Sequence, residues 1–244
     1  MRLYVYCLAE GPVRLNVRLN KTPPGVSDAE VRIVEFDEDL SAVVSVYRSN
    51  DFQVSRKNAL AHHEVVRSIT EQTTPLPARF GTVVTIEQLR KYVSTHHQAI
   101  KAKLAHVRGG VEMNVRMIGT VASTAISQDA ENAGGPGTAF LLEKRKEVLR
   151  DEAGAAQKRQ LSEWLGEKLA DLIKEEKISI TPSETVILAR ADHLIARADV
   201  QEYRTKMAKA VEERPEIRFM VSGPWPPYSF ANIELEFSSQ FGVS

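Results

Sequence analysis

The sequence predicts an α+β protein built as two tandem domains. Three observations carry this reading. The second half runs strand, helix, strand, strand, helix, strand, the order in which an antiparallel sheet receives two helices on one face, as in a ferredoxin-like split βαβ sandwich. The first half holds a similar set of pieces, with its early helix replaced by the turn-rich LNKTPPGVSDAE, so it reads as a modified version of the same plan. A chain of 244 residues is also long for a single core. The domains fall at 1–109 and 110–222, divided near Gly109 and Gly110, and 223–244 reads as a proline- and aromatic-rich tail packing back on them.

Residues 2–8 alternate like a half-buried strand, with the single Cys7 as a small buried hydrophobe that has no intramolecular disulfide partner. VRIVEF and SAVVSVYR are two more strands, joined in a hairpin across the acidic DEDL. From Arg56 to Thr73 the residues Leu60, Val65, Val66 and Ile69 recur near helical spacing, and Ser55 is placed to cap the helix. PLPARFGTVV ends that helix and gives a strand or strand edge over Phe80 to Val84, with Gly81 expected to supply an unusual backbone angle. Ile86, Leu89, Val93, Ile100, Leu104 and Val107 form the next helical stripe, capped by Thr85 and ended at Gly109–Gly110.

VEMNVRMIGTV then reads as a strand and SQDAENAGGPG as a loop. Thr138 to about Glu176 predicts one long helix with Leu141, Leu149, Leu161, Trp164, Leu165, Leu169, Leu172 and Ile173 on its apolar side. Such a helix would be on the order of 50 Å long, so it must project, bridge or bend near Gly154. SETVILARA and HLIARADV are two strands, Val200 to Glu213 a helix and Glu216 to Val221 a strand. Beyond them, Gly223 to Pro227 predicts a rigid, irregular arm, because prolines fix φ and remove donors.

Charge is balanced, Lys+Arg 32 against Asp+Glu 32, which argues against nucleic acid as a partner, since duplex binding needs a basic excess. The amino-terminal apolar stretch falls far short of the ~20 residues of a membrane span, and a soluble, cytoplasmic protein is expected. Histidines come as His62–His63 and His96–His97, with His106 and His193 alone. Neighbours on a helix point about 100° apart, so neither pair can serve one metal from one face, and HHEVV lacks the second ligand of a zinc helix. A composite site using one histidine of each pair, as in a metal-dependent hydrolase, is the rival reading.

GGPG precedes a helix as a phosphate cradle would, but Thr138, Ala139 and Phe140 follow instead of the lysine and hydroxyl residue of a phosphate loop. No serine sits in a nucleophile elbow, and EKRKEVLRDE has the mixed charge of a solvated helix face. What remains is surface. Arg79, beside Phe80 and Gly81 on a proline-bounded segment, reads either as a buried ion pair or as an exposed partner contact. Trp225, Pro226, Pro227, Tyr228 and Phe230 read either as a plug for the chain's own groove or as a recognition surface.

Taken in order, LYVYCLAE, AHHEVVRS, LPARFGTVV, VRGGVEMNVRM, GTAFLLEKR and VSGPWPPYSF span almost the whole chain and resemble the signature blocks of the gas vesicle protein L/F family. His62 falls where the family has its helix histidine, three residues before Val65. His63 is an addition, and Met113 stands where family members often carry tryptophan. The resemblance implies an accessory or minor structural protein of gas vesicle formation, in the cytoplasm and at the gas vesicle. It would bind the hydrophobic shell protein and work with other gas vesicle accessory proteins, without catalysis, cofactor, metal, nucleic acid or membrane. In that setting the GPWPPYSF arm is expected to hold the two domains in one orientation and to leave part of its aromatic face for a partner. The L and F types are not distinguished by these blocks.

Overall fold

The computed structural model describes residues 2–11, 13, 23–48, 52–120, 156, 159–180 and 186–231. They belong to two compact units, Met1–Glu112 with Pro224–Ser244, and Met113–Gly223. The chain thus leaves the first unit after Glu112 and returns to it at Pro224.

In the first unit β1 (Arg2–Glu10), β2 (Val31–Asp37), β3 (Leu40–Tyr47), β4 (Leu76–Pro77) and β5 (Val83–Thr85) form one sheet in the order β2-β3-β1-β4, with β5 also on β1. β1 runs antiparallel to β3 from Arg2↔Tyr47 to Glu10↔Leu40, with a register shift between Val5 and Cys7. β1 is flanked on both edges and buried along Leu3 to Ala9, which is why LYVYCLA is nearly all apolar rather than strictly alternating. The β2–β3 turn is tied by Asp37 Oδ1, which accepts from Asp39 N at 2.8 Å, the local bond that makes aspartate a turn former.

Two helices complete the unit. α1 (Arg56–Thr70) starts at Ser55, whose Oγ accepts from Asn58 N at 3.1 Å, and it buries His62, Val65, Val66 and Ile69 against Tyr4, Tyr6, Val43 and Tyr47. Leu60, expected on that stripe, is 53% exposed, because it lies about 200° around the helix from His62. The helix ends at Thr70 rather than Thr73, where Gln72 N and Thr73 N both turn back to Ile69 O. α2 (Ile86–Val107) opens on a full capping box between Thr85 and Gln88 and buries Leu89, Val93, Ile100, Leu104 and Val107. It touches β1 and β5.

The segment that replaces an early helix packs by hydroxyl chemistry. Val26 N donates to Tyr6 Oη at 2.8 Å, and that hydroxyl pairs with Ser45 Oγ at 3.0 Å. A side chain at Gly25 would place its Cβ 2.3 Å from Tyr6 Oη and 2.7 Å from Ser45 Oγ, so only glycine lets the chain pass there. The strand expected over Phe80 to Val84 begins only at Val83. Phe80 and Gly81 form a turn instead, since Gly81 takes φ +91°, a conformation that closes turns and breaks strands.

The second unit contains β6 (Gly110–Thr120, which starts in the first unit), a helix α3 over 159–169, β7 (Ile173–Ile180), β8 (Val186–Ala196), α4 (Val200–Glu213) and β9 (Arg218–Trp225, which ends in the first). The sheet order is β7-β8-β6-β9. Two expectations are corrected here. The helix drawn to Glu176 stops at residue 169, where Leu172 N turns back to Leu169 O at 2.9 Å, and IKEEKISI is strand β7. Lys and Glu are good helix formers, but pairing with β8 from Ile173↔Ile195 to Ile180↔Ala189 outweighs that preference, and the charges suit an edge strand. The two strands expected in SETVILARA and HLIARADV are the single β8. The SQDAENAGGPG loop, the EKRKEVLRDE stretch and the helix expected from Thr138 to residue 155 lie outside the described residues.

The arm expected to be irregular from Gly223 is also corrected. β9 runs on through Gly223 and Pro224 to Trp225, because at a sheet edge a proline forfeits no ladder hydrogen bond. A short helical turn, α5 (Tyr228–Ala231), follows.

Candidate functional surface

In the first unit an aromatic box forms where β1, α1 and the turn at residues 79–82 meet. His62 is 3% exposed. Its Nδ1 lies 2.9 Å from Tyr4 Oη, and the same oxygen accepts from Gly81 N at 3.2 Å. Phe80 stands edge-on to His62 at 5.8 Å and to Phe52 at 5.2 Å, while Phe52 stacks on Tyr4 at 5.7 Å. His62 Nε2 is buried without a hydrogen-bond partner of ordinary geometry among the described residues. Burial pushes the His62 ring down to about 4, His63 adds in the same direction, and the Ala78 backbone opposes them weakly. The Tyr4 and Tyr6 hydroxyls are pushed up, again chiefly by burial.

Arg79 projects from this box into solvent, and its guanidinium makes no ion pair among the described residues. The buried ion pair considered for it from sequence is therefore absent there. Its carbonyl closes the turn by accepting from Thr82 N at 3.1 Å and Thr82 Oγ1 at 2.6 Å.

The Trp225 to Phe230 segment belongs to the same unit. Pro226 and Pro227 are buried, and Trp225, Tyr228 and Phe230 are half-buried. Trp225 meets the His63 ring edge-on at 5.1 Å, and Tyr228 stacks near it at 6.4 Å. The segment is fastened by a residue that sequence reasoning passed over. Glu112 is 2% exposed, and its carboxylate accepts from Ser229 N at 2.6 Å and from Ser229 Oγ at 2.8 Å. The available signal was a glutamate between Val111 and Met113 at the start of a strand, since a carboxylate is not buried in a strand unless something satisfies it. Burial, with Cys7 and Glu112 nearby, raises the Tyr228 hydroxyl.

The second unit has its own buried histidine. His193 Nδ1 lies 2.7 Å from Tyr203 Oη and its Nε2 2.9 Å from Glu176 Oε1. Gly166 on α3 makes room for that carboxylate, which would lie 3.4 Å from a Cβ there. Nearby, Asp192 accepts from Asn114 Nδ2 at 2.6 Å and from Arg190 Nε at 2.7 Å. Trp164, expected on a purely apolar side, is half-buried with Arg214 over its ring at 5.0 Å.

The histidines proposed for a composite metal site are each engaged elsewhere. His62 is in the aromatic box, His97 Nε2 pairs with Asp37 Oδ2 at 2.6 Å, and His96 lies against Tyr92 at 4.6 Å. Among the described residues no three of His, Cys, Asp and Glu converge as metal ligands. None of the described helices is long and apolar enough to cross a membrane.

Two antiparallel sheets with helices, joined so that the first unit is closed by a returning tail, define a class with solved members. The fold is similar to the gas vesicle protein GvpF from Anabaena sp. PCC7120, with a TM-score of 0.75 at 18% identity, covering 95% of this chain and 98% of that one. It is equally similar to GvpF from Microcystis aeruginosa, with a TM-score of 0.74 at 17% identity, covering 95% and 99%. The family described as gas vesicle synthesis protein GvpL/GvpF matches residues 2–232, and the chain belongs to it. Among its relatives, gas vesicle protein L1 of Halobacterium salinarum is 28% identical over 93% of this chain and 89% of its own length. Gas vesicle protein F1 of the same organism is 24% identical over 89% of each. Membership in this family supports a role in gas vesicle formation.

Proposed function

We propose that this chain is an accessory or minor structural protein that binds the hydrophobic shell protein and assists its assembly, without catalysis, in the cytoplasm and at the gas vesicle. The carrying observation is the outer surface of the first unit. Arg79 stands exposed on a turn whose Phe80 is anchored in the aromatic box, and Trp225 lies half-exposed against His63. One helical turn before His63, Leu60 is 53% exposed, and Val54 just ahead of the helix is 81% exposed. A shell subunit with a gas-facing apolar surface aggregates before it polymerises unless something covers it. Rigid aromatic ground with an exposed cation suits that task, because little entropy is lost on docking.

On this reading Arg79, Phe80, Trp225, Pro226, Pro227, Tyr228 and Phe230 present or support the binding surface, other gas vesicle accessory proteins are further partners, and 1–109, 110–222 and 223–244 act as two domains and a tail. The second domain is read as a ferredoxin-like sandwich, a reading supported by its strand order of second, third, first, fourth. The first is read as a modified relative with LNKTPPGVSDAE in place of a helix. The test is retention of the full chain on immobilised shell protein. Wild-type protein is expected to be retained and Arg79→Ala and Trp225→Ala variants to be retained less. Failure of the wild type on a resin that retains other accessory proteins overturns the proposal. Loss of flotation on deleting the gene in a vesicle-forming host is the companion result.

A further inference from the structure

We propose that His62 is a proton-sensitive positioning residue for the turn at residues 79–82: neutral, it holds the turn through Tyr4, and on protonation it lets the turn go. This goes beyond the binding reading above and holds whether or not the turn meets a partner.

Hydrogen placement at Tyr4 couples the ring to the turn. A phenol oxygen carries one hydrogen and accepts up to two. Tyr4 Oη already accepts from Gly81 N at 3.2 Å and lies 2.9 Å from His62 Nδ1. Directing the phenol hydrogen at Nδ1 satisfies all three groups, and only a neutral ring with its proton on Nε2 offers the lone pair. Protonation puts a hydrogen on Nδ1, and the phenol hydrogen must then turn away into a box walled by Tyr6, Phe52 and Phe80.

Among the described residues no carboxylate lies against the ring to neutralise the cation, and only the Ala78 backbone favours it. From β1 it faces Tyr4 and Tyr6, whose hydroxyls burial keeps neutral, with Cys7 likewise held protonated in the same core. On α1 its neighbours are His63 and Glu64, and Glu64 is paired to Arg67 at 2.7 Å on the outer face. From the turn come the Phe80 ring and the Ala78 backbone, with Arg79 pointing to solvent. From β3 and the returning tail come Tyr47 and Tyr228, and the Glu112 carboxylate acts on Tyr228 rather than on His62. The turn yields before the helix does, because α1 stays anchored by Val65, Val66 and Ile69, whereas the turn depends on the Gly81–Tyr4 bond and on the Phe80 ring lying against His62.

The test is hydrogen exchange at the Gly81 amide of the isotope-labelled full chain between pH 7 and pH 4, corrected for intrinsic exchange, with α4 amides as the internal reference. Wild-type Gly81 is expected to lose protection by about tenfold or more, with a midpoint between the ordinary histidine value of 6.5 and about 4, while α4 holds. His62→Phe keeps an aromatic ring but cannot titrate, and is expected to show no such step. Should that variant fail to fold, Tyr4→Phe cuts the relay with His62 in place, and Gly81 is expected to be poorly protected already at pH 7, without a further step. Protection that stays constant in the wild type, or falls equally in the substituted chain, overturns the proposal. Failure to bind shell protein leaves these outcomes unaffected.

Discussion

Both units bury a histidine whose Nδ1 meets a tyrosine hydroxyl, His62 with Tyr4 at 2.9 Å and His193 with Tyr203 at 2.7 Å. They part at the other nitrogen. His193 Nε2 lies 2.9 Å from the Glu176 carboxylate, whereas His62 Nε2 has no partner of ordinary geometry among the described residues, and only the Ala78 backbone favours its charged form. A buried imidazole beside a carboxylate keeps a partner whether or not it is charged, and one walled by aromatic rings does not. The same residue pair therefore sits beside a carboxylate in the second unit and inside a wall of aromatic rings in the first, where the proposal above places the acid sensitivity.

The strongest way to break this contrast is to spoil the wall. Gly25→Ala drives a methyl group into Tyr6 Oη and Ser45 Oγ, and Tyr6 lines the box at 5.7 Å from His62. A loss of about 3 kcal/mol or more is expected, seen as a lower thermal midpoint and lost amide protection in the first unit. A fall within ±0.5 kcal/mol would mean that the packing there is loose. Acid comes next. Because the folded value of His62 is depressed to about 4 from 6.5, the unfolded chain holds the extra proton between these limits. Stability is full above about pH 6.5 and drains away as pH falls towards 4, by up to about 3 kcal/mol in all. Denaturant titrations of the wild type and His62→Phe at pH 7 and pH 4.5 read this directly, and an unaltered slope in the variant would remove His62 as its source.

Glu176→Leu tests the contrast from the other side by leaving His193 as bare as His62. A cost of about 1–2 kcal/mol is expected, moderated by the partial exposure of the carboxylate, and amide exchange should place it in β7 and β8. The smallest effect belongs to Ser229→Ala, which removes one of the two bonds to Glu112 and should cost about 1 kcal/mol, read as faster exchange at residues 228–231. Equal exchange in both proteins would show that Glu112 is satisfied without the hydroxyl.

Local chemistry made much of the fold readable before any coordinates. Ser55 and Thr85 cap helices because their oxygens reach amides three residues on, and Val200 to Glu213 shows its period within its own span. Reading failed where distant pairing decides. IKEEKISI carries helix-forming residues and becomes a strand only because β8 lies alongside it. Gly81 is legible as a residue with an unusual backbone angle, which its φ of +91° bears out, but Phe80 reads as the start of a strand until the turn is seen packed on Tyr4. Of the candidate surface, Arg79 and the tail aromatics stood out by residue type and proline context. Their supports, Tyr4 for His62 and Glu112 for Ser229, did not, because each bond joins residues 58 or 117 positions apart.

That last separation has a consequence for synthesis. Glu112 emerges from the ribosome 117 residues ahead of the serine that satisfies it, roughly ten seconds at ordinary elongation rates. Throughout that interval the two Ser229 bonds to Glu112 are missing, so the opening half acquires this particular clasp only after the second unit has been made.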